Sequence, residues 1–401
     1  MTGNALEGKV ASYEKQMVDT MSKMISIKSI SPAAGGEGEG KRADFLQKTM
    51  ESLGFKADRY EYVDESKTKR PNLVVKFGNM DRTIWIVSHI DTVSEGDIAL
   101  WKTDPFKAVV KDGKIYGRGT SDDGQSAISS IYALLALKET KAKMKYNFGL
   151  VLVADEELGS HYGIQKLLEE KGLFDRKDLF IVPDSGSPDG RDIEVAEKSI
   201  VWLKITVHGK QVHGSTPEKG VNAYRYAIRF LSKADEMLHR KYNKLNKLFD
   251  PPGSTFEMTK HEKNTDSINI VPGTEVSYMD CRVLPEYNLE DVINDIEGIA
   301  REPEFKPVKI EFDFAQHEKA APPTDEKSEI VVLLKRVLKA QRGIEPRAIG
   351  IGGGTCAAYF RRKGYDSVVW ETVEDVPHQP NEFCVIKNMV DDAKTFAALF
   401  V

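Results

Sequence analysis

Cysteine is scarce: Cys281, Cys356 and Cys384 are the only three, scattered and odd in number. They suit neither a disulfide framework nor a Cys-x-x-Cys metal motif, so a reducing cytoplasm is the expected setting. A basic excess is missing too. Lys and Arg number 57 against 62 Asp and Glu, for a net charge of −5. With no surplus cations to neutralise phosphates, nucleic acid is not an expected partner. No apolar run approaches the length of a membrane span, so no membrane is expected either. The first residues, MTGNALEGKV, lack the apolar stretch of a secretion signal. Internal repeats and low-complexity tracts are also absent. What is present is a globular composition, 40% hydrophobic and 30% charged, in 401 residues, enough for two domains.

The apolar spacing predicts an opening helix over Met17–Ile27, a small loop at Ser31–Arg42 (SPAAGGEGEGKR) and a helix at Lys41–Leu53 ended by Gly54. Strand-like and helix-like runs then alternate. TIWIVSH ends at His89, QSAISSIYALLALK (Gln125–Lys138) is an apolar helix, and NFGLVLVADEE is a strand running into acids. GIQKLLEEKG follows as a helix and LFIVPDSG as a strand. Continuous apolar strands between helices predict a sheet covered on both faces. After about Glu197 the pattern changes. VWLKITVHG, TEVSYMDCRV and VKIEFDF alternate apolar and polar residues, as in a sheet with one wet face. Helices are expected between them at Ala223–Arg240 and Leu289–Ala300. Past Phe314 the covered pattern returns with a helix at Glu326–Gln341, the strand SVVW and a final helix at Asn388–Phe400. The expected fold is α/β: a larger domain with a covered mixed sheet, residues 1–196 and 315–401. A smaller α+β domain, a two-layer sandwich, is inserted at 197–314.

Potential metal ligands follow the apolar strands. SHIDTV offers His89 and Asp91, ADEELGS offers Glu156 and Glu157, and PDSG offers Asp184. In open α/β sheets, ligands bind beyond the carboxyl ends of strands. GRGTSDDGQ adds Asp122 and Asp123 in a Gly-rich turn before a helix, and VPHQPNEF adds His378. Imidazole and carboxylate without thiolate suit zinc or a similar divalent ion. One zinc with three protein ligands would use part of this set. A pair of ions about 3.5–4 Å apart would use more, with one carboxylate between them. The cations would then offset the repulsion of the crowded acids. Each fragment alone also has an ordinary reading, as a solvated turn, a helix cap or a surface loop. GIGGGT lacks the Lys of a phosphate-binding loop, which argues against nucleotide.

Taken in order, SHIDTV, DGKIYGRGTSDDGQ, ADEELGS, PDSG, HGKQVHGSTPEKGVNA, INIVPG, MDCRVLPEYN and HQPNEF resemble the co-catalytic zinc peptidase and deacylase family. That family includes succinyl-diaminopimelate desuccinylase, acetylornithine deacetylase, aminoacylase, carboxypeptidase G and carnosinase. The resemblance runs from about Met17 to the end. It implies two divalent ions, zinc first, with cobalt or manganese as alternatives. By resemblance, His89, Glu157, Asp184 and His378 are terminal ligands and Asp122 is the bridging carboxylate. Glu156 is the general base, and Asp91 orients His89. His213 is the inserted-domain histidine that reaches the partner subunit's active site, which implies a homodimer through that domain. Asn269, Arg282 and the loop Gly353, Gly354 and Thr355 contact substrate. Two positions depart from the desuccinylase pattern: Asp184 stands where Glu is usual, and SDD replaces ADM, as in carnosinase-like members.

The implied activity is hydrolysis of an amide in a small substrate with a free carboxylate. Removal of an acyl group from an N-acyl amino acid comes first; a dipeptidase or aminopeptidase of the carnosinase type is the alternative.

Overall fold

A computed structural model describes residues 3–401. The chain divides into two compact units. The first comprises residues 1–195, 323–348 and 355–401, and the second residues 196–322 and 349–354.

The first unit is built on an eight-stranded mixed sheet. Its strand order is Asp58–Val63, Lys69–Phe77, Asn147–Val153, Thr83–His89, Leu179–Ser187, Asp366–Thr372, Asp192–Glu197, Arg347–Ile351. Every residue of Thr83–His89 and Asn147–Val153 is buried, so both faces are covered, as their unbroken apolar sequences require. Thr83–His89 runs parallel to Asn147–Val153 on one side and to Leu179–Ser187 on the other. Their carboxyl ends therefore emerge together. The helix Gln125–Glu139 is buried from Gln125 to Leu137, which explains its almost wholly apolar and small composition. It packs against the last helix, Ile386–Ala398.

The second unit is a four-stranded antiparallel sheet ordered Thr255–His261, Thr274–Val283, Ser199–His208, Lys309–Glu318. Burial alternates along its two central strands, so one face is packed and the other is not. Phe230, Ala234 and Leu238 of helix Ala223–Lys241 and Val292 and Ile296 of helix Leu289–Ala300 pack with Leu203, Ile205, Met279 and Cys281 of the sheet. The covered mixed sheet and the separate two-layer sandwich are the fold class that the periodicity predicts.

Three local expectations are corrected. A helix at Gly3–Ala11 precedes the expected opening one, which runs from Glu14 to Ile25. GIQKLLEEKG forms only the single turn Ile164–Leu167. Ile164 and Leu167 are its buried anchors, and the polar Lys166, Glu169 and Glu170 give no further apolar face to hold a longer helix. Ser31–Arg42 is a loop only as far as Glu39: it contains the short turn Pro32–Ala34, the next helix starts at Gly40, and Glu39 and Arg42 are buried. Among the described residues, no helix is long and apolar enough to cross a membrane.

Candidate metal centre

His89 is the last residue of its strand and is paired in register with Val153. The turn Glu156–Leu158 therefore begins beside it, and Asp184 lies near the end of the next parallel strand. Asp122 sits just before the helix Gln125–Glu139, joined to Asp123 by a cis peptide bond. His378 lies in the loop before the strand Phe383–Val385.

These side chains converge on Asp122. Its Oδ1 lies 2.6 Å from His89 Nε2, and its Oδ2 lies 3.0 Å from His378 Nε2. Asp184 Oδ1 is 3.5 Å from His89 Nε2, and Glu157 Oε2 is 3.0 Å from His378 Nε2. Two triads result, His89–Asp122–Asp184 and Asp122–Glu157–His378, each with its ligand atoms within 4.8 Å of one another. One carboxylate shared between two triads is the arrangement expected for a pair of ions with a bridging group.

Two features of the donors fit divalent cations. First, the Nδ1 proton of His89 can go only to an acceptor, and the backbone carbonyl of Asp91 stands 3.1 Å away. With Nδ1 held there, Nε2 is the atom turned to Asp122 and Asp184: it donates to Asp122 at 2.6 Å while protonated and would offer its lone pair to a cation once that proton is lost. Second, the acids are enclosed. Burial, then the charges of Asp184 and Glu157, raises the Glu156 carboxyl well above its ordinary range. Burial and neighbouring Asp122 push Glu157 up to about 7. His378 is held up to about 10 by its hydrogen bonds to Asp122 and Glu157. Burial works against Asp122, but its hydrogen bonds to His378 and His89 hold its carboxyl below the usual range. Six carboxylates (Asp91, Asp122, Asp123, Glu156, Glu157 and Asp184) share this region with two imidazoles, a deficit of positive charge that divalent ions would offset.

Asp91 acts mainly on the neighbouring turn. Its Oδ1 accepts the Glu156 N–H at 3.0 Å and its Oδ2 the Glu157 N–H at 3.1 Å, while Oδ1 stands 3.5 Å from His89 Nδ1. Asp123 Oδ2 accepts the His89 N–H at 3.0 Å. Glu382, which the sequence reading passed over, accepts N–H bonds from Gly119, Ser121 and Asp122 and is paired with Arg118 at 2.8 Å. The signal available for it was its place four residues after His378 in HQPNEF.

The other expected site residues, except Thr355, belong to the second unit. His213 is exposed, and its Nδ1 accepts the Ser215 N–H at 3.1 Å. The pairing His213↔Ile270 sets Asn269 beside it, where Asn269 O accepts the Gly214 N–H at 2.7 Å. Arg282 donates through Nε and Nη2 to Asp280, at 2.7 and 3.0 Å, and through Nη1 to the Gly352 carbonyl at 2.8 Å. A Cβ at Gly353 or Gly354 would meet nothing closer than 3.7 Å, so neither glycine is required by crowding. Thr355 belongs to the first unit; its Oγ1 accepts the Ala357 N–H at 3.2 Å.

The sequence pattern of peptidase family M20/M25/M40 matches residues 85–401. An uncharacterized metallohydrolase of Methanocaldococcus jannaschii is 39% identical, over 95% of this chain and 98% of that one. A succinyl-diaminopimelate desuccinylase of Orientia tsutsugamushi is 24% identical over 94% and 93%. Human carnosine dipeptidase 1 shares the fold with a TM-score of 0.72 at 16% identity, covering 99% of this chain and 98% of that one.

Proposed function

The chain belongs to peptidase family M20/M25/M40, a family of dinuclear metal-dependent amide hydrolases and peptidases, and from that premise we propose that it removes the acyl group from a small N-acyl amino acid. The observation that carries this reading is Glu156, enclosed beside two ligand triads that share Asp122. His89, Asp122 and Asp184 would hold one ion, and Asp122, Glu157 and His378 the other. When bound, the ions supply Lewis acidity at the scissile carbonyl and make water acidic enough to lose a proton near neutral pH. Zinc is the first choice for these N and O donors, with cobalt and manganese as alternatives.

Glu156 takes the proton of the attacking water and passes it to the amine nitrogen as the C–N bond breaks. The products are a carboxylic acid and a free amine. His213 of a second copy donates to the oxyanion. Because its Nδ1 accepts a backbone N–H, the neutral ring carries its proton on Nε2, the atom left to face substrate. This role makes the active unit a homodimer through the second unit. Arg282 fixes the free carboxylate of the substrate. Asp280 and Gly352 occupy three of its five N–H groups, leaving one on each terminal nitrogen. Asn269 and the Gly353–Thr355 loop line the same substrate. The three cysteines are free and buried, in keeping with a reducing cytoplasm.

A dipeptidase is the second reading, favoured by Asp184 and the Asp122–Asp123 pair, where the chain departs from the desuccinylase pattern. A panel of N-succinyl, N-acetyl and dipeptide substrates, run with Zn²⁺, Co²⁺ and Mn²⁺, separates the two. Turnover of dipeptides alone would replace the first reading with the second; turnover of none would remove both.

A further inference from the structure

Asp155 is the member of the Asp155–Glu157 run to which the proposed chemistry gives no task. It is buried, and its backbone is left-handed, with φ 66, which is unfavourable for a residue with a Cβ. Its side chain does not cap the short turn Glu156–Leu158. Instead Oδ2 accepts the Tyr162 N–H at 3.0 Å, and Oδ1 lies 3.1 Å from Arg70 Nη2.

Arg70 is buried as well, with its side chain 2% exposed. Nε donates to Glu39 Oε2 at 2.8 Å, Nη2 donates to Glu39 Oε1, and Nη1 reaches Asp64 Oδ2 at 3.4 Å. One planar guanidinium thus joins three carboxylates from three separate segments, a task its fixed fork can perform and an ammonium cannot. Asn72, two residues along the same strand, serves the same turn. Its Oδ1 accepts the Ala154 N–H at 3.0 Å, and its Nδ2 donates to the Tyr162 carbonyl at 2.9 Å. The ladder between Lys69–Phe77 and Asn147–Val153 ends at Leu73↔Leu152. Beyond that rung, Asn72 and Arg70 continue the hold with their side chains.

We propose that Arg70, acting through Asp155, is the positioning residue that sets the Glu156–Glu157 turn and with it one half of the metal centre. The inference rests on the two-metal reading above. Glu157 faces His378 and one oxygen of Asp122. The other triad comes from His89, Asp184 and the opposite oxygen of Asp122, none of which Arg70 touches. Loosening the turn is therefore asymmetric. It weakens the ion at Asp122, Glu157 and His378, spares the ion at His89, Asp122 and Asp184, and misplaces the base.

Asp155→Asn is the test. It keeps an acceptor for the Tyr162 N–H and leaves the Arg70–Glu39 pair intact, but removes the charge that Arg70 holds. Arg70→Lys is the second variant, and Asp155→Asn carries the test if Arg70→Lys does not fold. Co²⁺ uptake is followed by visible absorption and calorimetry, and kcat and KM are measured separately. The expected result is one ion bound as in the wild type and the other weakened about 10–100-fold, the usual effect of removing a partner behind a ligand. With it, kcat falls while KM changes little. Two ions bound with wild-type affinity, or both weakened equally, would overturn the inference and leave the two-metal reading standing. A wild-type protein that takes up fewer than two ions would overturn both.

Discussion

Glu382 accepts the backbone N–H of Asp122 at 3.1 Å, across 260 residues of chain. The same carboxylate takes the N–H groups of Gly119 and Ser121, so the loop before helix Gln125–Glu139 is clamped from the far end of the sequence. Clamping this loop aims one oxygen of Asp122 at His89 and the other at His378.

Glu382→Gln should therefore weaken both ions together, because Asp122 belongs to both triads. It also leaves the buried Arg118 without its counter-charge, at a cost of about 3–5 kcal/mol. Metal titration and thermal unfolding measure the two effects. Wild-type affinity at both sites would show that the clamp is dispensable.

Glu156→Gln should keep both ions, since Glu156 is outside both triads, while kcat falls by about 10²–10⁴-fold, the range for losing a general base. Near-normal turnover in a metal-loaded variant would take the base role away from Glu156.

Mixing inactive Glu156→Gln with inactive His213→Ala tests the shared site. If His213 serves the partner's centre, each mixed dimer has one centre with both residues intact. Random exchange then restores about a quarter of wild-type activity. Mixtures that stay inactive after subunit exchange is demonstrated would place His213 elsewhere.

The metal-free protein should lose stability as pH rises. Glu157 is raised from its ordinary value to about 7, so it favours the folded state fully below about 4.5 and loses that contribution as pH climbs through 7. His378 is raised to about 10, so its contribution is complete below about 6.5 and fades toward 10. Ion binding must displace these protons, so affinity should rise with pH over the same interval. Melting of the chelated protein between pH 5 and 9 gives the first trend, and calorimetry in buffers of different ionisation enthalpy gives the proton release. A chelated protein that gains stability across this window would contradict the assignment.

Periodicity made the architecture readable. The unbroken apolar strands TIWIVSH and NFGLVLV are the buried centre of the sheet, and the alternating TEVSYMDCRV lies in the two-layer sandwich. Strand ends and motif order also pointed to His89, Asp122, Glu157, Asp184 and His378, whose side chains the structure gathers around Asp122. Arg70, Asn72 and Glu382 could not be read this way. Arg70 meets Glu39 31 residues away, Asn72 meets Ala154 82 away and Glu382 meets Gly119 263 away, and nothing in the local pattern of KRPN or NEF states what they face.

Asp155 marks the division most clearly. Three acids in a row after an apolar strand follow from the sequence alone, and so does the expectation that something must offset their repulsion. What offsets Asp155 is not in that local pattern: the structure gives it Arg70. Sequence determines which groups stand at the ends of strands, because alternation and burial are local. Which buried cation compensates which buried acid is decided only when distant segments are packed together, because desolvation and Coulomb energies depend on distance in space rather than along the chain.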